Sequence, residues 1–387
     1  MQRGSVGIFG AGLDARGADY LSILSRATEV NAGLWANYLK VVNGANTVDA
    51  STHEPTGAAT PVGEPPRFLL DVAHLGGMYA GHIFLVGTEK GLGVNNQGVL
   101  SAQGELVLLA DGRLVNKGSL QSNAGLSVQA SGIDNGADAR ISSQQDISLS
   151  TPGELDNAGE IRGGQTSLAA TSVNNAGLID GAGVSVQAGV VTNSGRLYGD
   201  RLAIAADNVT NAENAVIAAR EHLSIQARDT ISNQRGGLIL SGADMALSAD
   251  RIENRSARIE ALGDLDVQAG VVLNANERFE TELVTGSPTP YVRLRHEGVD
   301  YASEELGLNF SSLTDYADDP GARVLLPSDD YPFAEYPALA ALWAVPASGG
   351  TRGFQLELSR HLQVLCHDCR RTSCAPASCS PQSRWPP

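Results

Sequence analysis

The chain has 387 residues, and its first 365 contain no cysteine; Cys366, Cys369, Cys374 and Cys379 all fall in the last 22. A disulfide framework therefore cannot organise the body of the protein. Aromatic residues make up only 5%, so the core is not built on large ring side chains. Lysine and arginine number 27 against 43 aspartates and glutamates, a formal net charge of −16. That balance excludes a surface built to meet phosphates, and hence a nucleic-acid partner. No apolar run reaches the roughly 18 residues of a membrane helix; the best stretch, 338–347, is short and broken by Pro346. The opening MQRGSVGIFGAG has no basic segment followed by an apolar one, so it does not read as a signal peptide.

What the chain does have is glycine, 44 residues of it, and 42% hydrophobic residues, mostly small or β-branched. That mixture predicts many short strands and tight turns, not disorder.

The middle of the sequence repeats. Asparagine recurs at 96, 116, 135, 157, 175, 193, 211, 233, 254 and 274, at spacings of 20, 19, 22, 18, 18, 18, 22, 21 and 20. Two residues before each one from Asn116 onward stands an apolar residue: Leu114, Ile133, Leu155, Val173, Val191, Val209, Ile231, Ile252 and Val272. Alternating stretches such as Leu126–Ala130, Val184–Ala188, Leu223–Ala227 and Leu265–Ala269 precede the asparagines. A third apolar pair follows the turn, as in Leu178-Ile179 and Val216-Ile217. Period two sends one set of side chains inward and the other out. Three short strands in about 20 residues are too few for a leucine-rich repeat or a propeller blade, and they suit one rung of a parallel β-helix. Nine intervals at about 4.8 Å per rung span roughly 43 Å. Asn116, Asn135, Asn157, Asn175, Asn193, Asn211, Asn233 and Asn254 are expected to stack as a hydrogen-bonded turn ladder. Asparagine also suits the backbone of tight turns, so a structural role outweighs ligand binding at these positions.

Residues 1–95 have another texture. Gly12-Leu-Asp-Ala-Arg-Gly-Ala-Asp-Tyr20 leads into Leu21–Trp35; Val41–Asn46, Pro66–Val72, Leu75-Gly-Gly-Met-Tyr79 and Ile83–Glu89 follow. In this order they resemble the secretion domain of two-partner-secretion exoproteins, the family of filamentous haemagglutinins and contact-dependent growth-inhibition proteins. The resemblance covers about residues 5–98, and the rungs after it resemble that family's haemagglutinin repeats as far as about residue 280. The positions that carry the secretion motif are Asp14, Arg16, Asp19, Tyr20, Asn31, Trp35, Gly76, Gly77, Met78 and Tyr79. The resemblance implies an all-β chain, a right-handed parallel β-helix, crossing the outer membrane unfolded through a dedicated barrel transporter. It implies display on the bacterial cell surface or release outside, facing a receptor on a host or neighbouring cell. No Asn-Pro dipeptide occurs, although the family places Asn-Pro-Asn motifs upstream. The chain therefore reads as beginning inside the secretion domain.

The expected organisation is residues 1–95 as the C-terminal half of a secretion domain, 96–276 as β-helix repeats, 277–365 as a non-repetitive, irregular segment, and 366–387 as a disordered Cys/Pro/Arg-rich tail. Cys366 and Cys369, with His361 and His367 nearby, permit a zinc reading; the abrupt change of composition favours an abnormal end of the reading frame. No G-x-S-x-G, H-E-x-x-H, P-loop or calcium-repeat motif occurs. No catalytic residue, metal site or cofactor is expected. Three functions remain in order: a filamentous surface adhesin, the stalk of a contact-dependent toxin exoprotein, and a β-helix enzyme acting on polysaccharides. The last is poorly supported, because the outward positions are mostly Ser, Gln, Ala and Thr.

Overall fold

The computed structural model describes residues 1–277 and, after them, the segments 290–296, 299–302, 323–325 and 354–360 with residues 335, 337–338 and 341. The chain divides into two units, Met1–Arg278 and Phe279–Pro387.

The first unit is an all-β parallel solenoid, as the period of the sequence predicts. One turn illustrates it: strands Leu114–Asn116, Ser119–Ser122 and Leu126–Gln129. The next is Ile133–Asn135, Arg140–Ser143 and Asp146–Ser150. Each strand lies parallel on its counterpart one turn on, with Leu114 against Ile133, Leu120 against Ile141 and Leu126 against Ile147. Where turns shorten to 18 residues the corners flatten and one strand spans all three faces, as in Glu160–Asn175 and Leu178–Asn193.

Alternation decides what goes inside. Leu100, Leu106, Leu108, Leu114, Leu120, Ile133, Ile141, Leu155, Ile161 and Ile179 are wholly buried and belong to one continuous core. Ser, Gln, Asp and Arg take the alternate, outward positions. Because the inward leucines and isoleucines stack on apolar neighbours above and below, replacing one buried leucine by alanine costs about 3 kcal/mol.

The solenoid begins well before the asparagine repeat. Strand Ser5–Ile8 pairs with Ala27–Val30, that with Leu70–Val72, and that with Val94–Asn96. Beside them Leu21–Ser25 pairs with Gly33–Asn43, which pairs with Gly77–Gly87. The turns are hard to see in the sequence for two reasons. The position that asparagine holds later is held here by Ile8, Val30 and Val72. The chain also leaves the solenoid after Asn43 to form an antiparallel hairpin, Asn46–Val48 with Pro55–Ala58, before returning at Leu70.

The second unit contains an antiparallel four-stranded sheet in the order Val299–Ala302, Pro290–His296, Phe354–Arg360, Arg323–Leu325. It lies in the segment that carries no repeat. Cys366, Cys369, Cys374, Cys379, His361 and His367, and with them the zinc reading and the tail 366–387, lie outside the described residues.

Candidate functional site

Two features stand out on this scaffold: a column of asparagines inside one corner, and a cluster of polar and aromatic residues on the first three turns.

In the column, each asparagine Nδ2 donates to the Oδ1 of the asparagine one turn later. The bonds run from Asn96 through Asn116, Asn135, Asn157, Asn175, Asn193, Asn211, Asn233 and Asn254 to Asn274, every one 2.8–2.9 Å long. Each Nδ2 also reaches backbone carbonyls, as Asn175 does to Gly177 and Arg196. From Asn96 to Asn233 these side chains are buried, so each bond forms where an unmade one would be costly. The column has a direction. Its first acceptor, Asn96 Oδ1, is buried and takes no hydrogen bond from the described residues, because Val72 precedes it in register. From Asn116 to Asn254 each side-chain amide is bonded to the asparagines before and after it, and its chemistry is that of a tie between turns.

The secretion-motif residues fall in the first three turns but do not form one site. Arg16 donates to Asp14 through Nε (2.9 Å) and Nη2 (2.7 Å), an exposed bidentate pair. These hydrogen bonds, from the Arg16 side chain first and its backbone N–H next, hold the Asp14 carboxyl down to about 2. Asn37 Nδ2 donates to the carbonyls of Arg16 and Ala18, fixing the loop that carries the pair. Asp19 is exposed on the same loop. Tyr20 is exposed, its ring centroid 6.2 Å from that of His53. Asn31 is exposed, and its backbone N–H donates to the Ile8 carbonyl. Met78 is wholly buried in the core. Gly76 sits where a Cβ would come within 1.9 Å of the Val30 carbonyl oxygen, so that position requires glycine for close approach of two turns. Gly77 and Tyr79 pair in register with Gly33 and Trp35, and the Trp35 and Tyr79 ring centroids are 6.0 Å apart with planes 15° off parallel.

Three further contacts are not visible in local sequence. Tyr38 stacks on Phe84 at 5.2 Å and 18°, and its centroid lies 5.9 Å from that of His82. The Glu105 backbone N–H donates to His82 Nδ1, so Nε2 carries the proton in the neutral ring. The third is a nearly buried ion pair. Arg26 donates through Nε (3.1 Å) and Nη2 (2.8 Å) to the two carboxylate oxygens of Glu89, and through Nη1 to the carbonyls of Val62 and Glu64. Glu89 also accepts the Ala45 N–H. The hydrogen bonds from Arg26 hold the Glu89 carboxyl below its ordinary value in spite of burial. This clamp secures the excursion between residues 44 and 69 to the solenoid. Nothing in local spacing announces it, since its partners are 63 residues apart.

Among the described residues no group of three or more His, Cys, Asp or Glu could hold a metal ion, and no helix is long and apolar enough to cross a membrane.

The TPS secretion domain family matches residues 1–122. The chain is 46% identical over 137 residues to a protein named Toxin CdiA from Yersinia pestis, covering 35% of this chain and 4% of that protein. It is 44% identical over 119 residues to tRNA nuclease CdiA-2 of Burkholderia pseudomallei, covering 30% and 4%. It is 36% identical over 184 residues to tRNA nuclease CdiA of Escherichia coli, covering 43% and 6%. The chain thus spans about a twentieth of the length of these relatives. No solved structure matches. A TPS secretion domain is a module of exoproteins sent to the cell surface or beyond through a partner transporter. Residues 1–122 are similar to the TPS secretion domain and run on into a parallel β-solenoid, and the chain is similar to two-partner-secretion exoproteins of the CdiA kind.

Proposed function

We propose that this chain is part of a filamentous, surface-displayed adhesin exported by an outer-membrane transporter of the two-partner type. The observation that carries this reading is structural continuity: the matched secretion segment and the repeat turns share one core and one strand register. On this reading residues 1–95 belong to the secretion domain and residues 96–276 to the presenting stalk. Residues 277–365 are a separate non-repetitive element, and the Cys-rich tail 366–387 takes no part. The motif residues Asp14, Arg16, Asp19, Tyr20, Asn31, Trp35, Gly76, Gly77, Met78 and Tyr79 serve secretion and early folding, and Asn116 to Asn254 hold the stalk together. The described residues act by binding and presenting, not by catalysis.

The test is expression with and without a two-partner outer-membrane transporter gene. Surface labelling of intact cells and protease accessibility that depend on the transporter support the reading. Equal labelling in its absence, or none in its presence, contradicts it.

The relatives favour a second reading, since their names describe toxins and tRNA nucleases. In it the same solenoid is the stalk of a contact-dependent toxin exoprotein. Co-culture with a susceptible strain separates the two: killing that requires contact and this locus supports the stalk, and unchanged growth supports the adhesin.

A further inference from the structure

A short pattern recurs on one face of the first turns: a glycine, any residue, then an aromatic. Gly33 precedes Trp35 in this way and Gly77 precedes Tyr79, and the two triplets are paired in register on neighbouring turns. A Cβ built on Gly33 would lie 2.2, 2.6 and 2.8 Å from Trp35 Cη2, Cζ2 and Cζ3. A Cβ on Gly77 would lie 2.7–2.9 Å from Tyr79 Cε2, Oη and Cζ. Near-equal distances to adjoining ring atoms mean that each ring lies flat over its glycine. The sheet backs one face of each ring, and the other face points outward. With planes 15° apart and centroids 6.0 Å apart, the rings form two adjoining tiles. Tyr79 keeps 37% of its surface exposed.

The rim of this platform is polar. Asp14 is the register partner of Trp35 on the preceding turn, so it lies about one strand spacing, ~4.8 Å, along the stack. Ser101 holds the same position on the turn after Tyr79. Asp14 brings Arg16 with it, exposed and held by Asn37 through the loop carbonyls. Further along the stack this outward position is Gln121, Ser142 and Arg162, so the paired tiles belong to the first turns.

We propose that Trp35 and Tyr79, with Asp14 and Arg16 at their rim, bind the ring face of a neutral pyranose glycan. A pyranose offers a C–H face that packs on an aromatic plane and a rim of hydroxyls that both donate and accept. The carboxylate takes the donors and the guanidinium supplies the acceptors with a partner. Two tiles on successive turns accommodate two linked sugar units. Charge selects against the other flat ligands. Arg16 is already neutralised by Asp14, and the chain carries −16 overall, so nucleic acids and anionic polysaccharides meet no free cation. Two rings also fall far short of the ~800 Å² per partner of an ordinary protein interface. The proposal rests on the reading that the chain is displayed outside the cell, where such glycans are met.

The experiment applies the purified full chain to an array of neutral gluco-, galacto- and N-acetylglucosamine oligosaccharides, then titrates the strongest ligand by calorimetry. Trp35→Ala is expected to weaken binding at least about tenfold, and Trp35→Phe only about threefold. An Asp14→Asn/Arg16→Gln double variant, both positions being exposed, is expected to lose about tenfold with the solenoid spectrum intact. Ser142→Ala should bind as wild type. Failure of the wild-type chain to retain any neutral glycan overturns the proposal, as does wild-type affinity in a Trp35→Ala/Tyr79→Ala variant. Retention of anionic glycans or a protein alone also overturns it. Because binding is read on purified chain, it stands apart from the transporter experiment: a glycan-blind Trp35→Ala chain with the wild-type solenoid spectrum supports the site whatever its export.

Discussion

The first three turns and the repeat turns are the same solenoid stabilised in two ways. In the repeat, each turn is tied to the next by one buried asparagine bond, identical along the stack. In the first three turns that column is aliphatic, Ile8, Val30 and Val72, and the buried polar ties are irregular: the Arg26–Glu89 clamp and an Asn43 side chain that donates to Ser25 and Thr28. The skins differ as well: Tyr79 gives way to Ser101 and then Gln121, and Phe84 to Val107 and then Ser127. A repeated bond gives length without a unique point of failure. An irregular set of ties gives a local structure that can carry an inserted hairpin, and the excursion that holds this hairpin depends on the one Arg26–Glu89 pair.

The most damaging test of that contrast is Arg26→Ala, which strands a nearly buried carboxylate and two carbonyls. It is expected to cost about 4 kcal/mol, with hydrogen-exchange protection lost over residues 44–69 and retained beyond Asn116. Uniform loss along the solenoid would break the comparison. Asn193→Ala removes a buried donor to Asn211 and the acceptor for Asn175, so about 3 kcal/mol is expected from denaturant unfolding. Asn274→Ala, at an exposed position, should cost under about 0.5 kcal/mol. The direction of the column is probed at Val72. An asparagine there can donate to the unpartnered Asn96 Oδ1, whereas an aspartate cannot, so Val72→Asp is expected to be less stable than Val72→Asn by about 2 kcal/mol. Mild acid gives the smallest effect. The clamp lowers Glu89 in the folded state, so its stabilisation is full above the ordinary carboxylate value of 4.5 and fades as pH falls through the lower folded value. Thermal scans between pH 7 and pH 3 should show the loss, and Glu89→Gln should flatten that part of the profile.

The all-β solenoid is legible in the sequence because its information is periodic: an apolar residue two before each asparagine and alternation before that fix both the turn length and the inward face. The first turns give no such signal, since valine or isoleucine at the column position looks like any core residue and the hairpin stretches the spacing. Trp35 and Tyr79 are readable as motif residues, but their side-by-side packing depends on a register between distant strands. The Gly-x-aromatic triplets were the available clue. Arg26 and Glu89 carry none, because an arginine after Ser25 and a glutamate after Thr88 read as ordinary surface charges until a loop closes over them.

The asparagine column also works as a ruler marked in turns, not residues. Its intervals run from 18 to 22 residues while the bonds stay at 2.8–2.9 Å, so the corners absorb the difference and the column does not register it. Excising residues 176–193, one 18-residue interval, would join Asn175 to Ser194 and bring Asn175 opposite Asn211 with every inward residue still inward. Excising nine residues would turn the faces over and place Ser and Gln in the core. The length of such a solenoid is therefore free to change by whole turns, duplicated or lost, and closed to change by fractions of one.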